Sequence, residues 1–239
     1  MSGHSKWSNI KRKKEANDKV KSKQFTKISR LITMSVLENN GVTNPDNNFK
    51  LRLAIDQAHQ ANMPKDSIVR AIEKGSGDNK INLKEMIYEA YAPHGVALII
   101  YATTDNSNRT SSEIKTKLER GGGKLVSQGA VSYLFRRCAM IMLDKTKYND
   151  TITLSLVEKL GAFDIKEDEI NTIIYFPFMN IHKFNDLQVI YQIKTTADLY
   201  YQPLTTVFLD KSEDINSVVD VISSLEELDD VHIVFANYV

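Results

Sequence analysis

The chain has 239 residues, of which 42% are hydrophobic and 26% are charged, and its net charge is +1. This composition disfavours a disordered or coiled-coil chain, and the length fits two or three small domains. The single cysteine, Cys138, excludes a disulfide framework and a multi-cysteine metal site. The longest apolar run, Val96–Ala102, is far shorter than the ~18 residues of a membrane helix, so no transmembrane segment is predicted.

Charge is distributed unevenly along the chain. Residues 1–75 contain 15 Lys and Arg against 7 Asp and Glu, whereas residues 210–239 contain 1 against 8. The most basic part is residues 1–30, with ten basic and two acidic residues. This basic excess predicts an anionic partner for the N-terminal end. A mitochondrial presequence is a weaker alternative, because only Trp7 and Ile10 could form its apolar face.

Three helices are predicted after the basic arm. Gln24–Glu38 places apolar residues at the i, i+3, i+4, i+7 spacing of one helical face. Asn48 fits the N-cap of a second helix, and Asn62–Asp66 fits the start of a third that stops at Gly75. Short helices with short connections form a small bundle. We expect the hinge to the next domain at Gly75–Asn79.

From residue 86 onward the pattern changes to strands that alternate with helices. Met86–Tyr91 and Val96–Thr103 are rich in β-forming residues and predict two strands. Thr110–Glu113 fits a capping box that opens a helix ending at Gly121. Val131–Phe135 predicts another strand.

Two successive strand–helix–strand sets are predicted next. In chain order their elements are Cys138–Leu143, Thr151–Leu160, Phe163–Lys166, Thr172–Phe176, Phe184–Ile193 and Ala197–Tyr201. A doubled unit of this kind is typical of a ferredoxin-like fold. The tail then predicts a strand, a helix and a strand at Thr206–Leu209, Ile215–Leu225 and Val231–Phe235. Because this tail is too small for a core of its own, we expect it to complete the sheet begun at residue 86.

The predicted fold class is α+β: an N-terminal three-helix bundle is followed by an α+β domain, into which a ferredoxin-like α+β domain is inserted. The basic arm and the bundle occupy residues 1–78. The discontinuous domain is formed by residues 79–136 and 204–239, and the insertion by residues 137–203.

The residues give no sign of a catalytic constellation, so the chain is not predicted to be an enzyme, and neither a metal nor a cofactor is expected. Gly121–Gly123 follows a helix instead of preceding one, which favours a helix end over a phosphate-binding loop. Asp105–Arg109 begins like a calcium loop but lacks its later ligands. It is better interpreted as a strand-to-helix turn, whose Asn106, Asn108 and Arg109 could contact a phosphate or a partner.

The basic residues near the N-terminus are the candidates for nucleic-acid binding, because Lys and Arg release counterions from phosphates and an exposed aromatic ring can stack on a base. The set comprises His4, Lys6, Trp7, Lys11, Arg12, Lys13, Lys14, Lys21, Lys23, Lys27, Arg30, Arg52 and Lys65. A helix dense in Arg and Asn, suited to reading bases, is absent from the arm. The arm is therefore expected to recognise the backbone or the shape of a nucleic acid.

The opening Ser2–Lys11 resembles that of the YebC family, also called the PmpR family, which includes the mitochondrial translational activator of cytochrome c oxidase. The resemblance continues at Leu51–Ile55, Ala61–Asp66, Thr104–Thr110 and Leu225–Val231. It implies the three-domain fold described above and a non-enzymatic regulator of gene expression. Because the family motif begins at residue 2, it also favours a bacterial-type cytoplasmic protein.

The resemblance leaves two kinds of nucleic-acid partner open, and a third hypothesis comes from charge. Bacterial members are commonly described as DNA-binding transcriptional regulators. The mitochondrial relative, and members linked to ribosomes stalled on proline-rich sequences, imply a translation factor that binds ribosomal or transfer RNA. In the third hypothesis the acidic C-terminal 30 residues bind a protein. The chain departs from the family pattern at Ala90 and Ala92, where glycine is usual, and at Phe49, where proline is common.

Overall fold

A computed structural model describes residues 18–76 and 83–239, with side chains from residue 24 onward within those ranges. Its helices are α1 (Asp18–Glu38), α2 (Phe49–Gln60), α3 (Lys65–Ser76), α4 (Ser107–Arg120), α5 (Asp150–Leu160), α6 (Ile181–Ile190) and α7 (Ser212–Glu226). Its strands are β1 (Lys84–Tyr91), β2 (Ala97–Thr104), β3 (Lys124–Val126), β4 (Phe135–Asp144), β5 (Asp164–Glu167), β6 (Asn171–Pro177), β7 (Asp198–Pro203) and β8 (Val231–Ala236).

The described residues form two compact units. The first contains the described chain up to Leu134 together with Thr205–Val239, and the second is Phe135–Leu204. Each unit combines helices with one antiparallel sheet, so the predicted α+β class is confirmed. Within the part of the chain that the structure describes, none of the helices is long and apolar enough to cross a membrane.

In the first unit, α1, α2 and α3 pack around a small apolar core that includes Ile32, Val36 and Leu51. Asn48 caps α2 as predicted, since its side chain accepts a hydrogen bond from the amide of Leu51. A Cβ atom at Gly75 would lie 2.7 Å from the carbonyl oxygen of Thr33. The glycine therefore lets α3 approach the backbone of α1 closely.

The sheet of the first unit has the order β3-β1-β2-β8, so the last strand of the chain pairs with β2. Leu98 and Ile100 of β2 are fully buried against Ile114 and Leu118 of α4, and α7 joins the same core through residues that include Val221. The two helices thus cover one face of the sheet.

The sheet of the second unit has the order β5-β6-β4-β7, and all its strand pairs are antiparallel. Its core joins Ile141 of β4 and Phe176 of β6 to Leu156 of α5 and Phe184 of α6. Both helices therefore lie on the face of the sheet that carries Ile141 and Phe176, since side chains alternate between the two faces of a strand.

Several predicted elements differ from the structure; among them, the helix predicted at Phe184–Ile193 is α6 at Ile181–Ile190. Helix α4 begins at Ser107 and not at Thr110, because Asn106 caps it by accepting a hydrogen bond from the amide of Arg109. The predicted strand at 131–135 is instead a 3-10 turn at Ser132–Leu134, followed by β4. The predicted strand at 206–209 is reduced to a single bridge between Val207 and Tyr238.

Candidate nucleic-acid interface

The structure describes only part of the predicted interface. His4, Lys6, Trp7, Lys11, Arg12, Lys13 and Lys14 lie outside the described residues, and Lys21 and Lys23 lie on the first turns of α1, where side chains are not described. Lys27 and Arg30 lie further along α1, Arg52 lies on α2, and Lys65 begins α3. Arg52 and Lys65 are exposed.

Asp230 ties α1 to the sheet of the first unit. Its side chain lies immediately before β8 and is only 3% exposed. One carboxylate oxygen accepts a hydrogen bond from Arg30. The other oxygen accepts hydrogen bonds from Arg109 at 2.9 Å, from the hydroxyl of Thr104 at 3.0 Å and from the hydroxyl of Thr110. A residue at the C-terminal end of the chain therefore joins a helix, a strand and a second helix from the first half.

These hydrogen bonds keep Asp230 ionised. Burial alone would raise its pKa, but hydrogen bonds from Thr110, Arg109 and Arg30 outweigh burial and lower the pKa to about 2. A buried carboxylate is tolerated when cations pair with it and its oxygens accept hydrogen bonds. Both conditions hold for Asp230 at neutral pH.

Two cations predicted to bind nucleic acid already have partners within the first unit. Lys27 donates a hydrogen bond to the carbonyl oxygen of Glu226, at the end of α7. Arg30 pairs with Asp230 and also donates to the carbonyl oxygen of Thr103 at 3.0 Å. Part of the positive charge of α1 therefore faces the acidic C-terminal segment of the same chain. Binding of nucleic acid by Lys27 and Arg30 stays a prediction.

His232 lies beside these cations. Its ring is tilted against that of Tyr101, with centroids 5.7 Å apart, and its Nε2 atom is buried with no hydrogen-bond partner among the described residues. Burial, and next the positive charges of Lys27 and Arg30, lower its pKa to about 3, although Asp230 acts in the opposite direction. The imidazole is therefore neutral at physiological pH.

The loop before α4 has a structural role. Asn106 caps the helix, and Arg109 forms ion pairs with Asp105 at 2.7 Å and with Asp230 at 2.9 Å. Hydrogen bonds to the two carboxylates raise the pKa of Arg109. Asn108 is exposed. The strand-to-helix turn interpretation is supported for Asn106, whereas contact of Asn106, Asn108 or Arg109 with a phosphate or a partner stays a prediction.

Two open cavities lie within the first unit. One has a volume of about 490 Å³, and its lining is mostly acidic, with Asp105, Glu113 and Glu227 among the residues. The other has a volume of about 530 Å³ and lies between α1 and α3, where Arg70 and Lys74 line it. The sequence pattern did not single out these two cations, although their spacing of four residues places them on one helical face.

Among the described side chains, no group of three or more His, Cys, Asp or Glu residues is arranged to hold a metal ion. The lone thiol, Cys138, is buried, and burial raises its pKa to about 11. Cys138 is therefore protonated at neutral pH and a poor nucleophile.

The chain is similar to bacterial proteins described as probable transcriptional regulatory proteins. It is 41% identical over 240 residues to a probable transcriptional regulatory protein of Thermosipho africanus, covering 100% of this chain and 94% of the relative. A relative of the same description from Borrelia turicatae is 40% identical over 239 residues, covering 99% of this chain and 97% of the relative.

The matching family models and a solved structure agree with these relatives. Residues 5–78 match the TACO1/YebC protein N-terminal domain, and residues 83–238 match the TACO1/YebC second and third domain. The chain belongs to the TACO1/YebC family. The crystal structure of the conserved hypothetical protein Aq1575 from Aquifex aeolicus is similar, with a TM-score of 0.81 and 37% identity over 93% of this chain and 91% of that one.

Proposed function

We propose that this protein is a non-enzymatic regulator of gene expression that binds nucleic acid through its basic N-terminal end. The observation that carries the proposal is the ratio of ten basic to two acidic residues in the first 30 positions. Such a segment gains affinity for phosphates by releasing their counterions, whatever the base sequence. The relatives named probable transcriptional regulatory proteins support a regulatory role.

The first unit continues the chain directly after the basic segment. The basic run Lys11–Lys14 precedes α1 in the chain, and α1 is held to the sheet by Arg30 and Asp230. Exposed Arg52 and Lys65 add positive charge elsewhere on the bundle. We propose that the arm contacts the phosphate backbone.

The proposed partner is duplex DNA, as the names of the bacterial relatives suggest, and the second candidate is folded RNA on the ribosome. The second is favoured by the matching family models, which group this chain with the mitochondrial translational activator TACO1. In that case the arm would contact ribosomal or transfer RNA, and Trp7 would stack on an unpaired base. In both cases we propose that the protein acts in the cytoplasm.

We also propose the three-domain division of residues 1–78, 79–136 with 204–239, and 137–203. The strand order of the second unit supports its ferredoxin-like assignment, because two interleaved strand–helix–strand sets produce an antiparallel sheet in which the first and third strands are central. Here those two strands are β4 and β6.

A sedimentation experiment distinguishes the two partners. Cell lysate is fractionated on a sucrose gradient with and without ribonuclease, and the protein is followed by immunoblotting. Sedimentation with ribosomal particles that is lost after ribonuclease treatment would support the translation factor. Sedimentation at the top of the gradient, combined with crosslinking to DNA in cells, would support the transcriptional regulator.

A binding experiment tests the shared part of the proposal. The chain with Lys11, Arg12, Lys13 and Lys14 changed to Glu is compared with wild type on labelled duplex DNA and structured RNA. If about 4–6 phosphates are neutralised, the logarithm of wild-type affinity for DNA should fall with the logarithm of salt concentration at a slope of roughly −4 to −5. A slope near zero would contradict the proposal.

A further inference from the structure

The cleft between α1 and α3 has features of a binding site. The helices are joined at its floor by a hydrogen bond from the Thr33 hydroxyl to the carbonyl oxygen of Ala71 at 2.8 Å. On one side the lining includes Phe25 and Ser29 of α1, and on the other Ser67 of α3. The cleft has a volume of about 530 Å³. This volume lies within the usual range of small-ligand sites.

The cleft carries positive charge that the described side chains do not neutralise. Arg30 and Asp105 also line it, but each is already paired, with Asp230 and Arg109 respectively. Arg70 and Lys74 remain. Both are exposed, and neither forms an ion pair with any of the described side chains.

The two cations lie four residues apart on α3, so their side chains are neighbours on one face of the helix. Like charges at this spacing slightly destabilise a helix. The hydrogen bonds of Arg70 go to the carbonyl oxygen of Asp66 at 3.2 Å and to the hydroxyl of Ser67 at 3.4 Å. These oxygens hold the guanidinium near the cleft without cancelling its charge, and the charge remains available for an anionic ligand.

The walls of the cleft fit a nucleic-acid strand. Ser29 and Ser67 offer hydroxyl groups to phosphate oxygens, and the half-buried Phe25 offers an aromatic ring. A basic groove combined with an aromatic side chain is the usual means of binding single strands. A duplex is wider than its major groove, which alone is about 12 Å across in B-DNA. It is therefore too large to enter a cavity of this volume.

The cleft also continues the proposed interface. It lies along α1, which begins at Asp18, and the basic run Lys11–Lys14 precedes that helix in the chain. We infer that the cleft between α1 and α3 binds a single strand of nucleic acid, with Arg70 and Lys74 contacting its phosphates. This inference rests on the nucleic-acid binding of the proposed function, in the form in which RNA is the partner, and names the strand state and two contact residues.

The test measures binding of the full chain to a fluorescein-labelled, unstructured 12-nucleotide RNA and to a labelled DNA duplex by fluorescence anisotropy. The variant Arg70→Glu/Lys74→Glu is compared with Arg120→Glu/Lys124→Glu, which has the same charge change at the same spacing on an exposed part of the first unit. For the RNA, the cleft variant should lose at least tenfold in affinity, and its salt slope should fall by about 1.4, because two phosphate contacts are lost. The control should lose less than threefold.

A measurement on the unmodified protein keeps the test independent of folding in the variants. Lysines are acylated in the presence and absence of the 12-nucleotide RNA and quantified by mass spectrometry. Protection of Lys74 with no protection of Lys124 supports the cleft. Equal acylation of Lys74 with and without RNA overturns the inference.

The remaining outcomes separate this inference from the proposed function. If reversing the charges of Lys11–Lys14 abolishes binding while the cleft variant binds RNA like the control, the cleft is not a site, although the proposed function stands. If the wild-type chain binds neither nucleic acid, both fail. If polyglutamate displaces the RNA at an equal charge concentration and protects Lys74 equally, the cleft accepts any polyanion and the inference is overturned.

Discussion

The guanidinium of Arg109 lies 2.9 Å from the carboxylate of Asp230, a residue 121 positions further along the chain. The same carboxylate pairs with Arg30, so one buried anion holds two cations that come from different helices. We therefore expect the stability of the first unit to depend strongly on this single side chain.

Asp230→Asn should destabilise the first unit. The amide keeps the shape of the side chain but loses its charge and one acceptor oxygen. Arg30 and Arg109 are 23% and 43% exposed and can be partly rehydrated. The loss in free energy of unfolding should therefore be about 2–3 kcal/mol, within the range for hydrogen bonds to charged groups. Urea unfolding at pH 7, followed by circular dichroism, measures it. The control is Asp229→Asn, which changes the exposed neighbouring residue. An equal loss of unfolding free energy in this control would contradict the prediction.

The same variant should show a defined pH dependence. The pKa of Asp230 is about 2 in the folded protein and about 3.9 in an unfolded chain. A lowered carboxylate pKa adds stability that is fully present above the unfolded value and is lost as the pH falls through the folded one. The difference between wild type and Asp230→Asn should thus shrink between pH 4 and pH 2. A difference that stays constant from pH 5 to pH 2.5 would show that the charge is not responsible.

His232→Phe should reduce the acid sensitivity of the first unit. The pKa of His232 is about 3 in the folded protein and about 6.5 in an unfolded chain. As the pH falls from 6.5 towards 3, the unfolded chain therefore takes up a proton that the folded protein does not, and the wild-type protein loses stability. One proton gives a slope of at most about 1.4 kcal/mol per pH unit. Phenylalanine keeps a ring against Tyr101 and cannot be protonated.

Between pH 7 and pH 5, wild type should therefore lose roughly 2 kcal/mol more than the His232→Phe variant. Urea midpoints at the two pH values measure the difference. The control is His59→Phe, in which an exposed histidine of the same unit is replaced. A pH response of His232→Phe that matches wild type would refute the role of the His232 imidazole.

Glu89→Gln should loosen the loop that precedes β4. The buried Glu89 carboxylate accepts hydrogen bonds from the amides of Gly129 and Val131 at 2.7 Å and of Ser132 at 2.9 Å. Burial raises the pKa of Glu89, but these bonds outweigh it and lower the pKa overall. Because glutamine has one acceptor oxygen in place of two, the cost should be about 1–3 kcal/mol.

Amide hydrogen exchange provides the sharper readout for this loop. In Glu89→Gln the amides of Gly129, Val131 and Ser132 should exchange faster, while those of β2 at the centre of the sheet change little. Glu113→Gln serves as the exposed control. Unchanged protection of the three amides would rule out the carboxylate as the group that holds the loop.

Deletion of residues 135–204 should leave the first unit folded. These residues form a compact unit with their own sheet and core. The flanking ends can be joined by a short Gly/Ser linker. We expect a cooperative thermal transition and retention of the far-ultraviolet spectrum of a mixed helix and sheet protein. A non-cooperative transition would show that the first unit requires the second.

Local sequence patterns predicted the elements better than their boundaries. The apolar periodicity of Gln24–Glu38 was sufficient for α1, because that pattern depends on near neighbours. The capping box at Thr110 was wrong because the Thr110 hydroxyl bonds to Asp230, 120 residues away, and Asn106 provides the cap. Contacts of such long range leave no local pattern.

The charge pattern did not show which cations are paired within the chain and which face the cleft. It predicted an external anion for the N-terminal cations, whereas Arg30 is paired with an aspartate 200 positions away. Arg70 and Lys74 were missed for the opposite reason. Asp66 and Glu73 balance them within α3, so the net charge of the helix hides two cations that face the cleft.

The pairing of β8 with β2 has a consequence for the order in which the protein can assemble during synthesis. The N-terminal helices pack on one another through residues close in sequence, so they can fold early. Strand β2 must wait until Val231–Ala236, much later in the chain, has left the ribosome before its free edge is covered. Until then the nascent chain presents an unpaired strand edge, and Lys27 and Arg30 lack their C-terminal partners. Ribosomes that stop before codon 231 would therefore release chains prone to aggregate through that edge.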